Sequence, residues 1–420
     1  MHVTTWICVC LLITVVSGSW IQNPNFRKTA EAKTSALPKE FSINLDLPAD
    51  QRWAEVGAAY KNKSWQLVNY LRENLPKGLL KPMEAVAKRL MPFFKDYGAE
   101  MQGYATALGV SEGDVVMFNL VYQMEHLGVT CDNWNSTGPV DPKLCIRDKK
   151  TDRYSTSLHI HQENEEEEPQ DYEHDGPGAC TSFVASNPAG KIIHGRNLDW
   201  NLEDVLKQFV ITAHFTRGGQ PLFTATTMVG FVGVLHAVKP NAFGWSMDAR
   251  RKGGSIPLNL LEAILHKGVR TPEQQARWTF ENANNYDDAV KMLSESEIVN
   301  DAYFIVSGTK YPEGTVLARR REAVAHRWNM GDQIAGQGPF FVAITNYDLT
   351  MPQPPSDQRL VPVTANLNAL AGKAFDDSDI WTVLQTWPTM NQHTDITAVM
   401  DIQQGSFNCV VWFDNAPPSN

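Results

Sequence analysis

Apolar residues after position 180 arrive in short runs separated by turn residues, a spacing that predicts strands. These runs fall at 209–215, 222–227, 229–238, 243–248, 302–307, 314–318 and 340–346, with two more at 396–401 and 407–413. Helical spacing predicts helices between them at 257–266, 272–281 and 286–294, and a last one at 380–387. The earlier part of the chain, from about Phe41 to Val129, reads as mainly helical, with Trp53, Val56, Tyr60, Trp65, Val68 and Leu71 on a 3.6-residue stripe. Ser111 with Asp114 caps a further helix before Val115–Phe118. Strands with helices grouped between them predict a layered α+β body without internal repeats.

Two segments depart from this pattern. Residues 130–179 are rich in Asp, Glu, Asn, Pro and Gly, including the run Glu163 to Glu168, and read as a flexible activation linker. His159, His161 and His174 lie within it, but neither spaced cysteines nor a scaffold accompany them, so no metal site is expected. Residues 1–18 read as a secretory signal: Trp6–Val16 is an apolar core too short to span a bilayer, and Val16-Ser17-Gly18 fits the cleavage rule. Its n-region lacks Lys and Arg, which keeps an uncleaved anchor as the alternative. Basic residues between Leu79 and Tyr97 interleave with Leu80, Met83, Val86, Leu90, Phe93 and Phe94. Pro82 and Pro92 break this stripe, which favours a helix packed on the body over a peripheral membrane contact.

The formal net charge of -10 argues against a nucleic-acid partner and suits a protein kept soluble where carboxylates are partly neutralised. Of the six cysteines, Cys8 and Cys10 leave with the signal. Cys131 and Cys145 flank a short polar loop and are candidate disulfide partners. Cys409 sits in an apolar run, as a buried inert thiol would. Asn62 and Asn135 head glycosylation sequons.

Cys180 has different company. It opens the run Cys180–Ser186, and the turn Asn187-Pro188-Ala189-Gly190 leads into Lys191–Trp200. Pairing about that turn sets Cys180 opposite Arg196 and Asn197, where a guanidinium would favour the thiolate. Cleavage just before Cys180 would place an α-amine on the nucleophile itself, to serve as its base. The arrangement suggests a cysteine amidase made by cleavage of its own precursor.

Cys180-Thr181-Ser182 followed by His194-Gly195-Arg196-Asn197-Leu198-Asp199 resembles the core motif of the acid ceramidase and N-acylethanolamine-hydrolysing acid amidase family of N-terminal-nucleophile hydrolases. The likeness extends to Ile43–Pro48 with Arg52-Trp53, to Thr226–Gly233, to Ala302–Gly308, and to Thr345–Asp348 with Asp357 and Arg359. It implies an αββα sandwich, a helical α-subunit at 19–129, and a catalytic β-subunit at 180–420 held with it as a heterodimer. It also implies roles. Cys180 is the nucleophile, Asp199 orients its freed amine, and Arg196 sits beside the reacting carbonyl. Asn346 donates to the oxyanion, and Arg359 supports the site by pairing with Asp348 or Asp357. His194 is expected to be a packed strand residue, and no cofactor is implied.

Two departures stand out. The insert at 130–179 separates the first segment from the nucleophile, and Ala249 stands where the family usually carries glutamate, with Asp248 beside it as a compensating carboxylate. The expected substrate is an N-acyl lipid, an N-acylethanolamine before a ceramide, because the interval from Asp199 to Thr226 lacks the longer loop of ceramidases. Phe231, Val232, Leu235, Trp245 and Met247 are candidate acyl-channel residues. A catalytically weak lipid-binding homologue and an N-acyltransferase using the same thioester are the competing readings.

Overall fold

The computed structural model describes residues 34–74, 91–94, 96–125, 146–147, 154–155, 179–200, 202–250 and 269–413. The signal, Cys131, Cys145, Asn135, the helix at 257–266, most of the basic stretch at 79–97 and nearly all of the insert lie outside the described residues.

The first segment supplies strands β1 (Thr34–Ala36) and β2 (Lys39–Asn44), then helices α1 (Ala54–Tyr60), α2 (Ser64–Asn74), α3 (Asp96–Leu108) and α4 (Glu112–Glu125). A two-residue pair, β3 (Ile146–Arg147) and β4 (Tyr154–Ser155), follows. From Ala179 the order is β5 (Ala179–Ser186), β6 (Ile192–Asp199), α5 (Asp204–Lys207), β7 (Val210–Arg217), β8 (Gln220–Met228), β9 (His236–Lys239) and β10 (Phe243–Ala249). Then come α6 (Pro272–Asn282), α7 (Tyr286–Glu295), β11 (Ala302–Ser307), β12 (Gly314–Arg319), β13 (Val324–Asn329) and β14 (Phe341–Ile344). The last elements are α8 (Leu360–Ala369), α9 (Asp377–Leu384), β15 (Ile396–Asp401) and β16 (Ser406–Phe413).

Two sheets form the body, in the orders β1-β16-β15-β6-β5-β14 and β13-β12-β11-β10-β9-β8-β7-β2. Val184, Ile192, Val342 and Met400 of the first pack against Val238, Tyr303, Ile305 and Val316 of the second. The outer face of the first sheet, with Phe183, Ile193 and Val399, is covered by Val363, Leu367, Ile380 and Leu384 of α8 and α9. A side chain at Gly195 would meet Phe183 Cζ at 2.7 Å and Ile380 Cγ2 at 3.1 Å, so glycine lets α9 lie close on β6. Phe280 of α6 stacks on Phe243 of the second sheet, ring centroids 4.4 Å apart. Helices thus cover both outer faces, and the architecture is the expected αββα sandwich.

Several expected boundaries move. Residues 41–44 belong to β2, which pairs in parallel with β7; Phe41, Ile43 and Leu45 alternate inward, a period of two inside a segment expected to be helical. The expected strand 229–238 shrinks to β9 because Gly230 has a positive φ of 85° and Asn119 of α4 binds the loop, donating to Gly230 O and accepting from Val232 N. Strand β13 and helix α8 were not expected at all; Pro362 falls in the first turn of α8, where a missing N–H costs nothing. Helix α9 starts earlier than 380 because Asp376 and Asp379 form a capping box. The cap at Ser111 and Asp114 forms as expected, with Asp114 N donating to Ser111 Oγ and Ser111 N to Asp114 Oδ2.

The first segment is bound to the body by a buried charge cluster. Glu100 of α3 accepts from Arg52 Nη1 (2.8 Å), Trp53 Nε1 (2.6 Å) and both terminal nitrogens of Arg277 on α6 (2.5 and 2.6 Å). Arg277 also donates to Val232 O and Glu281 Oε1, and its guanidinium lies over the rings of Tyr97 and Phe215. A fully buried carboxylate needs this density of partners to remain in an apolar layer.

Candidate active site

Strands β5 and β6 are buried on both faces, yet β6 carries His194, Arg196, Asn197 and Asp199. Buried polar groups require partners, and those partners converge on Cys180.

The register corrects one expectation. Cys180 stands opposite Leu198, and Arg196 stands opposite Ser182. The connection closes over Asn187–Lys191, one residue longer than the expected turn: Asn187 N donates to Lys191 O, and Lys191 N returns to Asn187 Oδ1. That residue slides the pairing by one. Arg196 still reaches the thiol, because Ser182 and Cys180 share a face; its Nη2 lies 3.7 Å from Sγ. Its Nη1 donates to the Leu235 carbonyl and to His236 Nδ1, and its Nη2 also to the Met247 carbonyl.

The thiol does not behave as the sequence suggested. Burial pushes it up to about 11, against the pull of Arg196, and Asp248 and Asp199 raise it further. Here Cys180 is fully buried and holds its proton.

Strand alternation sends Asp199 to the opposite face from Arg196, so these two are not a strand-end pair. Asp199 instead accepts from Thr394 Oγ1 (2.7 Å), Asn391 Nδ2 (3.1 Å) and Arg359 Nη1 (3.2 Å). Burial raises its carboxyl, and Arg359 opposes that. Arg359 precedes α8 and grips Asp357 through Nε (2.9 Å) and Nη2 (2.6 Å). Asp357 is therefore the partner expected for it, while Asp348 is held by Arg250 through Nε and Nη2 and by Tyr303 Oη.

Arg359 and Asn346 also hold the backbone of the nucleophile. Arg359 Nη1 donates to Cys180 O at 2.7 Å, and Asn346 Oδ1 accepts from Cys180 N at 2.7 Å and from Arg359 Nη2 at 2.8 Å. The Asn346 amide donates to Ala249 O at 2.8 Å. The position lacking the family glutamate thus meets the site through its carbonyl. Of the expected site residues, Arg196, Asn346 and Arg359 contact Cys180 directly, and Asp199 joins them through Arg359. Asn391, Thr394 and Ser182 were missed; they have no local signal, since hydroxyl and amide residues are common in turns and strands.

Behind Arg196 lies a polar chain between the sheets. His194 contacts Ser307 Oγ through Nδ1 (2.9 Å) and Ser246 Oγ through Nε2 (2.8 Å); Ser246 Oγ donates to Ser182 Oγ (3.0 Å), and Ser182 Oγ to Asp248 Oδ1 (2.6 Å). His194 is the packed strand residue expected, held neutral as burial pulls it down to about 3. Of the candidate channel residues, Phe231, Val232, Leu235, Trp245 and Met247 all lie in the core cluster that includes Cys180. Asn62 is exposed, and Cys409 is a buried free thiol that accepts from Thr226 Oγ1. Among the described residues no cluster of His, Cys, Asp and Glu could hold a metal ion.

Known proteins match both halves of the chain. Residues 37–97 match the family described as the beta subunit of N-acylethanolamine-hydrolyzing acid amidase, and residues 180–313 match linear amide C-N hydrolases of the choloylglycine hydrolase family. A Caenorhabditis elegans N-acylethanolamine-hydrolyzing acid amidase is 28% identical over 86% of this chain and 89% of its own. Human acid ceramidase is 26% identical over 87% and 84%. A solved chain of the Caenorhabditis elegans amidase ortholog is 32% identical, covering 53% of this chain and 93% of that one, with a TM-score of 0.47. With relatives aligned along most of its length and a linear-amide-hydrolase match that begins at Cys180, the chain belongs to the acid ceramidase and N-acylethanolamine-hydrolysing acid amidase family and is a hydrolase of linear amide C–N bonds.

Proposed function

We propose that this hydrolase cleaves the amide bond of N-acyl lipids, N-acylethanolamines in preference to ceramides, after the chain has been cut before Cys180. The observation that carries the reading is the convergence on Cys180: Arg196 at Sγ, Arg359 at its carbonyl, and Asn346 at its backbone nitrogen. In maturation, Sγ adds to the Ala179 carbonyl carbon, and the Ala179–Cys180 C–N bond breaks as the nitrogen takes a proton. Water then hydrolyses the resulting thioester, leaving a free thiol and a free α-amine.

In turnover, that amine accepts the thiol proton while Sγ adds to the substrate carbonyl. The proton passes to the leaving amine, giving an acyl-enzyme thioester. Water, deprotonated by the same α-amine, releases the fatty acid. Asp199 orients the amine, Arg196 favours the thiolate, and Asn346 supplies the oxyanion donor once its amide turns from Ala249 O. Arg359 keeps Asp199 and Asn346 in register.

Three further parts of the reading concern the setting. The chain divides into a first segment at 19–129, the insert at 130–179, and a catalytic segment from Cys180, the outer two staying together after cleavage. A secretory route to the lysosome or outside the cell accords with the signal-like residues 1–18, with Cys131 and Cys145 as candidate disulfide partners, and with the sequons at Asn62 and Asn135. Peripheral contact with a membrane would deliver a lipid substrate; Trp65 is 58% exposed on the helix preceding the basic stretch. No helix among the described residues is long and apolar enough to cross a membrane.

The test is N-terminal sequencing of the fragments formed when purified precursor is held at acidic pH, beside a Cys180→Ala variant, followed by product analysis on an N-acylethanolamine and a ceramide. A wild-type fragment beginning Cys180-Thr181-Ser182, absent from the variant, and release of fatty acid are expected. Cleavage at the same bond in Cys180→Ala would overturn self-processing.

A further inference from the structure

The chain of hydroxyls between the sheets has a direction. Ser182 and Ser246 each have one hydroxyl proton, already given to Asp248 Oδ1 and to Ser182 Oγ. Toward His194, Ser246 Oγ therefore accepts, which puts the imidazole proton on Nε2 and leaves Nδ1 to accept from Ser307. Every donor points towards Asp248, the acceptor at the end. That carboxyl is fully buried; its Oδ1 lies 3.9 Å from Arg196 Nε, and its Oδ2 has no hydrogen-bond partner. The same guanidinium reaches Cys180 Sγ through Nη2. One cation thus stands between two groups that can each become anions.

We propose that Asp248 is a positioning residue acting through Arg196, its carboxylate competing with the Cys180 thiolate for a single guanidinium. When Asp248 is ionised, Arg196 is partly neutralised and the thiol holds its proton more firmly. When Asp248 is neutral, the guanidinium serves the thiolate alone. Burial lifts the carboxyl to about 7, with Arg196 and the Ser182 hydroxyl pulling it down, so the exchange falls between acidic and neutral pH. The other groups facing this point are His194 and Arg196 on β6, Cys180 on β5, His236 on β9, Tyr303 opposite Asp248 on β11, Asp199 at the end of β6, and Arg359 at the start of α8. Burial keeps both histidines and Tyr303 neutral across this range. The proposal rests on the preceding reading only for the identity of the nucleophile.

The rate of Cys180 alkylation by iodoacetamide, followed by peptide mapping on the chain as isolated, tests it between about pH 5 and 9. In the wild type, the rise of rate with pH should flatten near 7 as Asp248 ionises. Asp248→Asn should remove the flattening and react about tenfold faster than wild type above pH 8, the equivalent of one pKa unit. Ser182→Ala keeps the carboxyl but removes a donor to it, so the flattening should move to higher pH; this variant carries the test if Asp248→Asn does not fold. Profiles that differ only by a constant factor at every pH would show a structural role and overturn the proposal. Hydrolysis of an N-acylethanolamine by the wild type is assayed separately. Its absence would sink the proposed substrate and leave the alkylation profiles fully readable.

Discussion

Asn346 accepts the backbone N–H of Cys180 at 2.7 Å, so its side chain is fixed on the nitrogen that cleavage would turn into an α-amine. The same carbonyl oxygen accepts from Arg359 Nη2, and the amide end is anchored on Ala249 O. Asn346→Ala should slow both steps, cleavage before Cys180 and lipid-amide turnover, the latter by about 100- to 1000-fold. Rates of fragment appearance and of fatty-acid release check this together; turnover near the wild-type value would remove Asn346 from the oxyanion role.

Arg359 joins Asp357, Asp199, Asn346 and the Cys180 carbonyl, and all of these are buried. Arg359→Ala leaves two buried carboxylates short of a cation and should destabilise the fold by about 3–5 kcal/mol. Arg359→Lys should recover only part of that, since a point charge cannot reproduce the fork that spans Asp357 and Asn346. Denaturant midpoints of the three proteins decide between these outcomes.

Glu100 joins the first segment to α6 through Arg277. Glu100→Ala should weaken that attachment by about 3–5 kcal/mol, because Arg277 keeps its charge in an apolar layer. The expected signature is partial loss of the first segment from the processed protein on size exclusion, with the second segment retained. Co-elution as in the wild type would show that the edge strands suffice.

Asp248 makes stability depend on pH in a direction that can be stated. Its folded value of about 7 lies above the ordinary 3.8, so the folded chain binds the proton more tightly than the unfolded one. The stabilisation this gives is complete below about 3.8 and lost as pH rises through about 7. Asp248→Asn removes the dependence, so the melting temperature of the variant should gain on the wild type between about pH 4 and 7. A constant gap across that range would place the Asp248 proton equilibrium outside the stability balance.

Much of this was visible along the chain, for identifiable reasons. The hairpin of β5 and β6 was legible because Asn187, Pro188 and Gly190 are turn formers between apolar runs. Its register was not, since the Asn187 side chain takes Lys191 into the loop and slips the pairing by one residue. The alternation of Phe41, Ile43 and Leu45 was present but short, and only β7 makes it a strand. Cys180, Arg196, Asp199, Asn346 and Arg359 could be named from their motif. The partners of Asp199 could not, because Asn391 and Thr394 come from a turn nearly two hundred residues away. The thiol's raised state was also hidden, since burial is a property of the assembled sheets.

The first segment places β1 beside β16 at the edge of one sheet and β2 beside β7 at the edge of the other. If the chain is cut between these strands and Cys180, the folded molecule keeps both edges capped, yet the covalent path by which they first found their places is gone. Refolding would then become a meeting of two separate polymers, one with two bare sheet edges open to aggregation and the other with two strands lacking a sheet. Such a protein would fold once, as a single chain, and afterwards depend on the slowness of its unfolding rather than on any capacity to recover from it.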